Sequence, residues 1–109
     1  MDSFTVALTD TDTHNLHDLL VTADAAKSTP KGLDLITEFR EMTILADAGN
    51  GAAKLYVGGS DVSSTIHSYP LTAGASQTYR RPTPAQKVYC KEVYVRASAN
   101  LTFHIEGQP

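Results

Sequence analysis

The 109-residue chain has no tryptophan, one cysteine and no apolar run long enough to cross a bilayer. A single cysteine excludes a disulfide within the chain. Because no basic and apolar leader is visible at the start, we expect synthesis in a reducing cytoplasm. The aromatic residues are mostly tyrosine. This composition disfavours a strongly aromatic ligand groove and leaves tyrosine contacts at a protein interface open.

Charge is also scarce, at 19% of residues with a net charge of −3. An acidic balance disfavours nucleic acid as a partner, because phosphate binding requires a basic surface. The charges are nevertheless unevenly placed: residues 1–26 hold five aspartates and no lysine or arginine, whereas residues 79–96 hold five bases and one acid. The two regions form either solvated surfaces of opposite sign or complementary patches that meet between copies.

Length and composition predict one domain spanning residues 1–109, with 41% hydrophobic residues available for a core. Short β-forming segments separated by Gly, Pro and Asn predict six to eight strands. We therefore expect an all-β fold, an antiparallel β-sandwich of jelly-roll type, with one short N-terminal helix. Helical spacing of Leu16, Leu19 and Leu20 places that helix at about residues 14–26.

Alternation of apolar and polar residues predicts which side chains of the strands face the core. Residues 3–8 alternate as an edge or arm strand, and residues 1–12 are a candidate N-terminal arm. Further predicted strands are 39–48, 65–67 and 77–80. The predicted inward sets are Met42, Ile44 and Ala46 in strand 39–48 and Leu101, Phe103 and Ile105 in the last strand.

Turn residues predict how consecutive strands are joined. Asn50-Gly51 favours a tight hairpin that returns residues 53–57 antiparallel to strand 39–48. Residues 98–100 are interpreted as a second hairpin, between the last two strands. Cys90 and Val93 are candidate core positions at an odd spacing, which requires a turn or bulge near residues 91–92.

Asp10-Thr-Asp12-Thr-His14 begins like a calcium-binding loop. It lacks the central glycine, and Val21 occupies the twelfth position, where a bidentate glutamate belongs. We interpret the segment as a turn or helix cap. His14 and His17 lie three residues apart without an evident further ligand, so the sequence predicts no metal and no other cofactor.

No pattern of catalytic residues is apparent. Residues 49–54 do not complete either phosphate-binding fingerprint, and no serine lies in a nucleophile elbow. The sequence therefore predicts that the protein is not an enzyme. Arg80, Arg81 and Lys87 alternate with tyrosines as in a single-strand nucleic-acid groove. Two prolines interrupt that pattern, and we expect neither a nucleic-acid nor a membrane partner.

Three segments resemble a recurrent pattern of small tailed-bacteriophage virion proteins. They are LYVGGSDV at residues 55–62, YPLTAG at residues 69–74 and EVYVRASA at residues 92–99. The pattern consists of a YVG-x-S-x-V strand, a G-x-P-L-x-x-G turn and an x-YV-x-A-S/G strand near the C-terminus. The resemblance covers roughly the second half of the chain, and Ser68 stands where glycine is common.

The resemblance implies a capsid-associated or head-decoration β-sandwich that stabilises the phage head through subunit contacts. Implied partners are other copies of the chain, as a trimer or other homo-oligomer, and the major capsid protein or other virion proteins. The implied location is the virion, after synthesis in the host bacterial cytoplasm. The alternative is a carbohydrate- or receptor-binding β-sandwich module of a phage tail.

Candidate contact residues follow from these expectations. The arm would add a strand to the sheet edge of a neighbour. Tyrosines and arginines elsewhere would contribute further contacts, because both are enriched at protein interfaces. The predicted interface comprises Phe4, Val6, Leu8, Tyr56, Tyr69, Tyr79, Arg80, Arg81 and Tyr94.

Overall fold

The computed structural model describes residues 2–30, 32, 38–66, 69–80 and 88–108. The described chain is mostly β, with antiparallel sheets and one α-helix, α1 (Leu16–Ala25). Its strands are β1 (Asp2–Leu8), β2 (Thr13–Asn15), β3 (Glu38–Phe39), β4 (Glu41–Ala46), β5 (Leu55–Gly58), β6 (Tyr69–Leu71), β7 (Ser76–Arg80), β8 (Val88–Tyr89), β9 (Tyr94–Ala97) and β10 (Leu101–Gln108).

Eight of these strands form two four-stranded sheets. Sheet A has the order β1-β10-β4-β7, and sheet B has the order β2-β9-β5-β6, while β3 and β8 pair separately. The pairs are nested along the chain: β1 pairs with β10, β2 with β9, β4 with β7 and β5 with β6. The chain crosses between the two sheets at residues 9–12, 47–54, 72–75 and 98–100, and again between β2 and β4 and between β7 and β9.

Alternate residues of both sheets belong to one hydrophobic core. In sheet A the register brings Val6, Phe103 and Ala46 side by side across three strands. Sheet B contributes Leu55 and Val95 to the same core. The predicted inward sets of strand 39–48 and of the last strand are confirmed, because all six side chains are buried.

Helix α1 begins after Asn15, whose side-chain oxygen accepts a hydrogen bond from His17 N at 3.0 Å. This is the usual way to satisfy a free N–H at a helix start. Leu16 and Leu20 are fully buried. The predicted helix is thus confirmed with bounds one or two residues shorter. Among the described residues, no helix has the length and apolarity needed to span a membrane.

The predicted hairpin at Asn50-Gly51 is wrong. The side-chain oxygen Oδ2 of Asp47 accepts a hydrogen bond from Gly49 N at 2.9 Å. This bond caps the start of a short 3₁₀ helix, Ala48–Asn50. Among the described residues no non-glycine residue has a positive φ, so Asn50 lacks the conformation that a two-residue type I′ turn needs. The segment instead carries the chain from sheet A to sheet B, where β5 pairs with β9 and β6.

The segment after β9 crosses between sheets in the same way. Residues 98–100 lead from sheet B into β10 of sheet A, so the second predicted hairpin is also wrong. Cys90–Glu92 is a 3₁₀ helix, which confirms the predicted turn between Cys90 and Val93. The predicted strand at 77–80 is confirmed within β7. At the predicted strand 65–67, Thr65 and Ile66 form a bend around the Ser63 hydroxyl, and residue 67 lies outside the described residues.

Candidate functional site

Phe4, Val6 and Leu8, predicted to contact a neighbour, lie in the core of their own chain. Their exposed fractions are 2%, 7% and 3%, and β1 is paired along its length with β10. Because alternate side chains of a strand point to opposite faces, the apolar residues of β1 all face the core of their own chain. We therefore correct the assignment of these three side chains and do not retain them as contacts between subunits.

Tyr56 and Tyr94 share the outer face of sheet B with Arg96. Tyr56 lies opposite Arg96 on the neighbouring strand, and Tyr94 lies opposite Gly58. The two tyrosines are therefore diagonal neighbours, a separation that aromatic side chains can span. Tyr69 belongs to the edge strand β6, and its side chain lies outside the described residues.

Tyr79 and Arg80 belong to β7, which is an edge of sheet A within the described residues. Arg80 Nη2 lies 3.3 Å from Glu41 Oε1 on β4. Tyr79 is half-buried against the core. Beside it lies a cleft of about 380 Å³, lined by Thr78, Tyr79, Arg80, Val88, Tyr89, Glu92 and Val93. The predicted contact Arg81 lies outside the described residues.

A chain of polar contacts crosses the outer face of sheet A. His104 Nε2 lies 2.8 Å from Asp47 Oδ1, and its Nδ1 lies 3.0 Å from Thr5 Oγ1. Because a carboxylate only accepts, Nε2 carries the proton in the neutral ring, and Nδ1 accepts from the Thr5 hydroxyl. These contacts connect β1, β10 and Asp47, the residue that follows β4. Sequence reasoning missed them because the three residues are distant along the chain.

Asp47 holds this cluster together. It accepts from His104 and, through Oδ2, from Gly49 N. The hydrogen bond from His104, followed by that from Gly49, lowers the pKa of the Asp47 carboxyl below its usual value. The hydroxyl–imidazole–carboxylate order is that of hydrolytic triads. On this open sheet face we assign it the role of fastening β1 and β10 to the loop after β4.

We expect Asp47→Asn to destabilise the protein near neutral pH and to lose this effect in acid. A carboxyl whose pKa is lowered by folding contributes stability above its unfolded pKa, and that contribution disappears as pH falls through its folded pKa. Urea midpoints of the wild type and Asp47→Asn should therefore begin to converge below pH about 4 and should meet only when the pH has fallen through the lowered pKa of the folded protein. A difference between the two urea midpoints that stays constant from neutral pH into acid would contradict this role of the Asp47 carboxylate.

His104→Gln tests the cause of that pH dependence. Since His104 supplies the largest contribution to the lowered pKa, the loss of stability caused by Asp47→Asn should be smaller in the His104→Gln background than in the wild type. If Asp47→Asn causes the same loss of stability in both backgrounds, the hydrogen bond from Gly49 N accounts for the contribution of Asp47 without His104. The comparison uses the same urea titrations at the same pH values.

Residues 10–12 form a bend that leads into β2, in agreement with the turn interpretation for this part of the segment, while Thr13 and His14 belong to the strand. Asp10 Oδ1 accepts from Asp12 N at 3.0 Å and lies 2.7 Å from His14 Nε2. The bond from His14 lowers the pKa of the Asp10 carboxyl. Among the described residues, no three His, Cys, Asp or Glu side chains are grouped to hold a metal ion.

Cys90 is fully buried, as expected for a core position. Burial raises the pKa of its thiol to about 12. A buried thiol with a raised pKa is a packing residue, because the thiolate is the reactive form.

The three segments that carry the phage resemblance come together in the fold. They supply β5, β6 and β9, which are three adjacent strands of sheet B. Comparison of the chain with protein-family models, curated proteins and solved structures gave no match.

Proposed function

We propose that the protein is a non-enzymatic structural subunit of a bacteriophage virion, a decoration or cement protein that stabilises the head through contacts between subunits. The observation that carries this proposal is the adjacency of the three phage-like segments. Residues 55–62 and 69–74 are close in sequence, whereas residues 92–99 lie in a later part of the chain, and all three segments contribute neighbouring strands of sheet B. The resemblance therefore corresponds to one spatial unit and not to three unrelated turns.

The strand order supports a finer assignment of the fold as a jelly-roll β-sandwich. Without the short β3 and β8, the eight remaining strands numbered in chain order form sheets 1-8-3-6 and 2-7-4-5. This is a long antiparallel hairpin folded over so that its connections cross between two sheets. Jelly rolls occur in viral capsid proteins and in lectins. Because one fold hosts many functions, this supports the proposal without carrying it.

The contact surface that we propose is the β7 edge of sheet A. An edge strand presents unpaired backbone N–H and C=O groups that another chain can bind. Thr78 and Arg80 are exposed on this strand. Tyr89 lines the adjoining cleft and is 43% exposed. An aromatic side chain and an arginine beside an open edge match the composition of protein interfaces.

The partner at this edge is another copy of the chain, with the major capsid protein beneath the assembly. A standard interface buries about 800 Å² per partner. Repetition around a shell raises the effective concentration of each contact, so modest pairwise affinity suffices for firm attachment. The same arrangement explains how a small chain stabilises a large particle.

Thr78→Lys should weaken self-association. Thr78 is the middle residue of β7, and a charge there opposes docking of a second strand. The matched control is Ser3→Lys, which lies in the same cross-strand row, Ser3–Glu106–Thr43–Thr78, on the opposite edge strand. Sedimentation velocity should give an oligomer for the wild type and Ser3→Lys, and a shift toward monomer for Thr78→Lys.

A monomeric wild-type protein at high concentration would contradict self-association. Equal oligomer populations for Thr78→Lys and Ser3→Lys would remove β7 from the interface. Thr78→Lys also breaks the 2.9 Å hydroxyl contact between Thr43 and Thr78, so its far-UV spectrum and melting temperature must be compared with those of the control.

A further inference from the structure

A second cleft lies on the outer face of sheet B. It has a volume of about 330 Å³ and is lined by Thr11, Tyr56, Ser64, Arg96, Ala97 and Ser98. These residues come from β5, β9 and three separate connections. Ligand sites occupy about 300–1,000 Å³, so this cleft has room for one small ring.

Arg96 lies on the middle strand of this surface. Tyr56 is opposite it on one side and Thr13 on the other, so hydroxyl-bearing residues flank the arginine on both neighbouring strands. Within the described part of the chain, Arg96 makes no ion pair and no side-chain hydrogen bond. Its guanidinium donors are therefore available to a ligand.

Two further lining groups are available in the same way. Among the described residues, the hydroxyls of Thr11 and Ser64 make no hydrogen bond with another part of the protein. Ser98 Oγ already accepts from Lys54 N at 2.8 Å, which holds one wall of the cleft in place. The cleft thus combines the guanidinium of Arg96, the Thr11 and Ser64 hydroxyls without hydrogen bonds to described residues, and a tyrosine.

These groups select a ligand by their chemistry. A guanidinium binds a carboxylate or a phosphate through two parallel hydrogen bonds. Asp10 and Asp12 flank Thr11 in the chain. Their charges oppose a doubly charged phosphate more strongly than a singly charged carboxylate. Serine and threonine hydroxyls exchange hydrogen bonds with sugar hydroxyls, and a tyrosine presents an apolar ring face to a pyranose.

We propose that the Arg96 cleft binds a carboxylated saccharide unit, with Arg96 holding the carboxylate and the Thr11 and Ser64 hydroxyls holding ring substituents. The site lies on sheet B, away from the β7 edge. This goes beyond the proposed structural role and does not depend on it. It gives the protein a means to recognise acidic polysaccharide.

The test is a chemical-shift titration of ¹⁵N-labelled protein with glucuronic acid, galacturonic acid, glucose and inorganic phosphate. Saturable shifts at Thr11, Ser64 and Arg96 are expected with a uronic acid and not with glucose. Arg96→Gln should weaken uronic acid binding roughly 10- to 100-fold, which corresponds to loss of charged hydrogen bonds. Arg40→Gln, at an exposed arginine between β3 and β4, should bind as the wild type does.

Three results would overturn the proposal: equal shifts with glucose and uronic acid, wild-type affinity in Arg96→Gln, or tighter binding of phosphate than of either uronic acid. Ser64→Ala gives a second measurement, because that hydroxyl makes no hydrogen bond with any described residue, and the substitution should weaken binding by a smaller factor. Thr78→Lys should leave uronic acid binding unchanged, so failure of this proposal and failure of the structural role are distinguishable.

Discussion

Phe103→Ala is expected to lower the free energy of unfolding by about 3–5 kcal/mol. Phe103 is fully buried in β10, between Val6 of β1 and Ala46 of β4. Truncation removes a large apolar side chain and leaves a cavity, because the neighbouring strands are held in register by their ladders. A domain of this kind has a total stability of about 5–15 kcal/mol, so the variant should lose a large share of it.

Urea unfolding followed by far-UV circular dichroism measures this effect. Phe103→Leu keeps most of the side-chain volume and should cost clearly less than the alanine variant. Ile66→Ala, at an exposed position, should change stability by about 0.5 kcal/mol or less. A loss below about 1 kcal/mol for Phe103→Ala would contradict the placement of this residue at the centre of the core.

Gly107→Ala is expected to cost about 1–3 kcal/mol through overpacking. A Cβ at Gly107 would lie 2.5 Å from ring atoms of Phe39, which real Cβ atoms do not approach. Phe39 is fully buried in the short strand β3, so its ring has little room to move away. The glycine therefore allows β3 to pack over the end of β10.

Gly59→Ala is the matched control, because its Cβ would meet only Asp61 Oδ1 at 3.6 Å, an ordinary contact. Thermal unfolding should show a clear loss for Gly107→Ala and little change for Gly59→Ala. Phe39→Leu in the Gly107→Ala background should recover part of the loss, since the smaller side chain relieves the overlap. Equal effects of the two alanine substitutions would show that Phe39 does not pack on Gly107.

The sequence predicted the faces of the strands better than their connections. Alternation identified Met42, Ile44 and Ala46 correctly, because the two-residue period depends only on local geometry. The link at Asn50-Gly51 was mistaken for a hairpin, since turn residues look alike whether strands pair or cross between sheets. Asn50 instead bonds Thr102 N at 2.9 Å and Thr102 O at 2.8 Å, which fastens the crossing to β10.

The candidate sites depended still more on strand order. Tyr56 and Arg96 were visible as separate residues, but only the pairing of β5 with β9 makes them neighbours. The contacts among Thr5, His104 and Asp47 likewise require the register of β1 on β10. No local pattern carries that information, because it is set by packing of distant strands.

The proposed place of this chain in a phage particle is tested by peptide mass spectrometry across a density gradient of particles from a phage-induced lysate of the bacterium that carries the gene. Peptides of this chain should follow the major capsid protein at a constant ratio through the particle fractions. Peptides confined to the soluble fractions, with none in the particle band, would contradict the proposal.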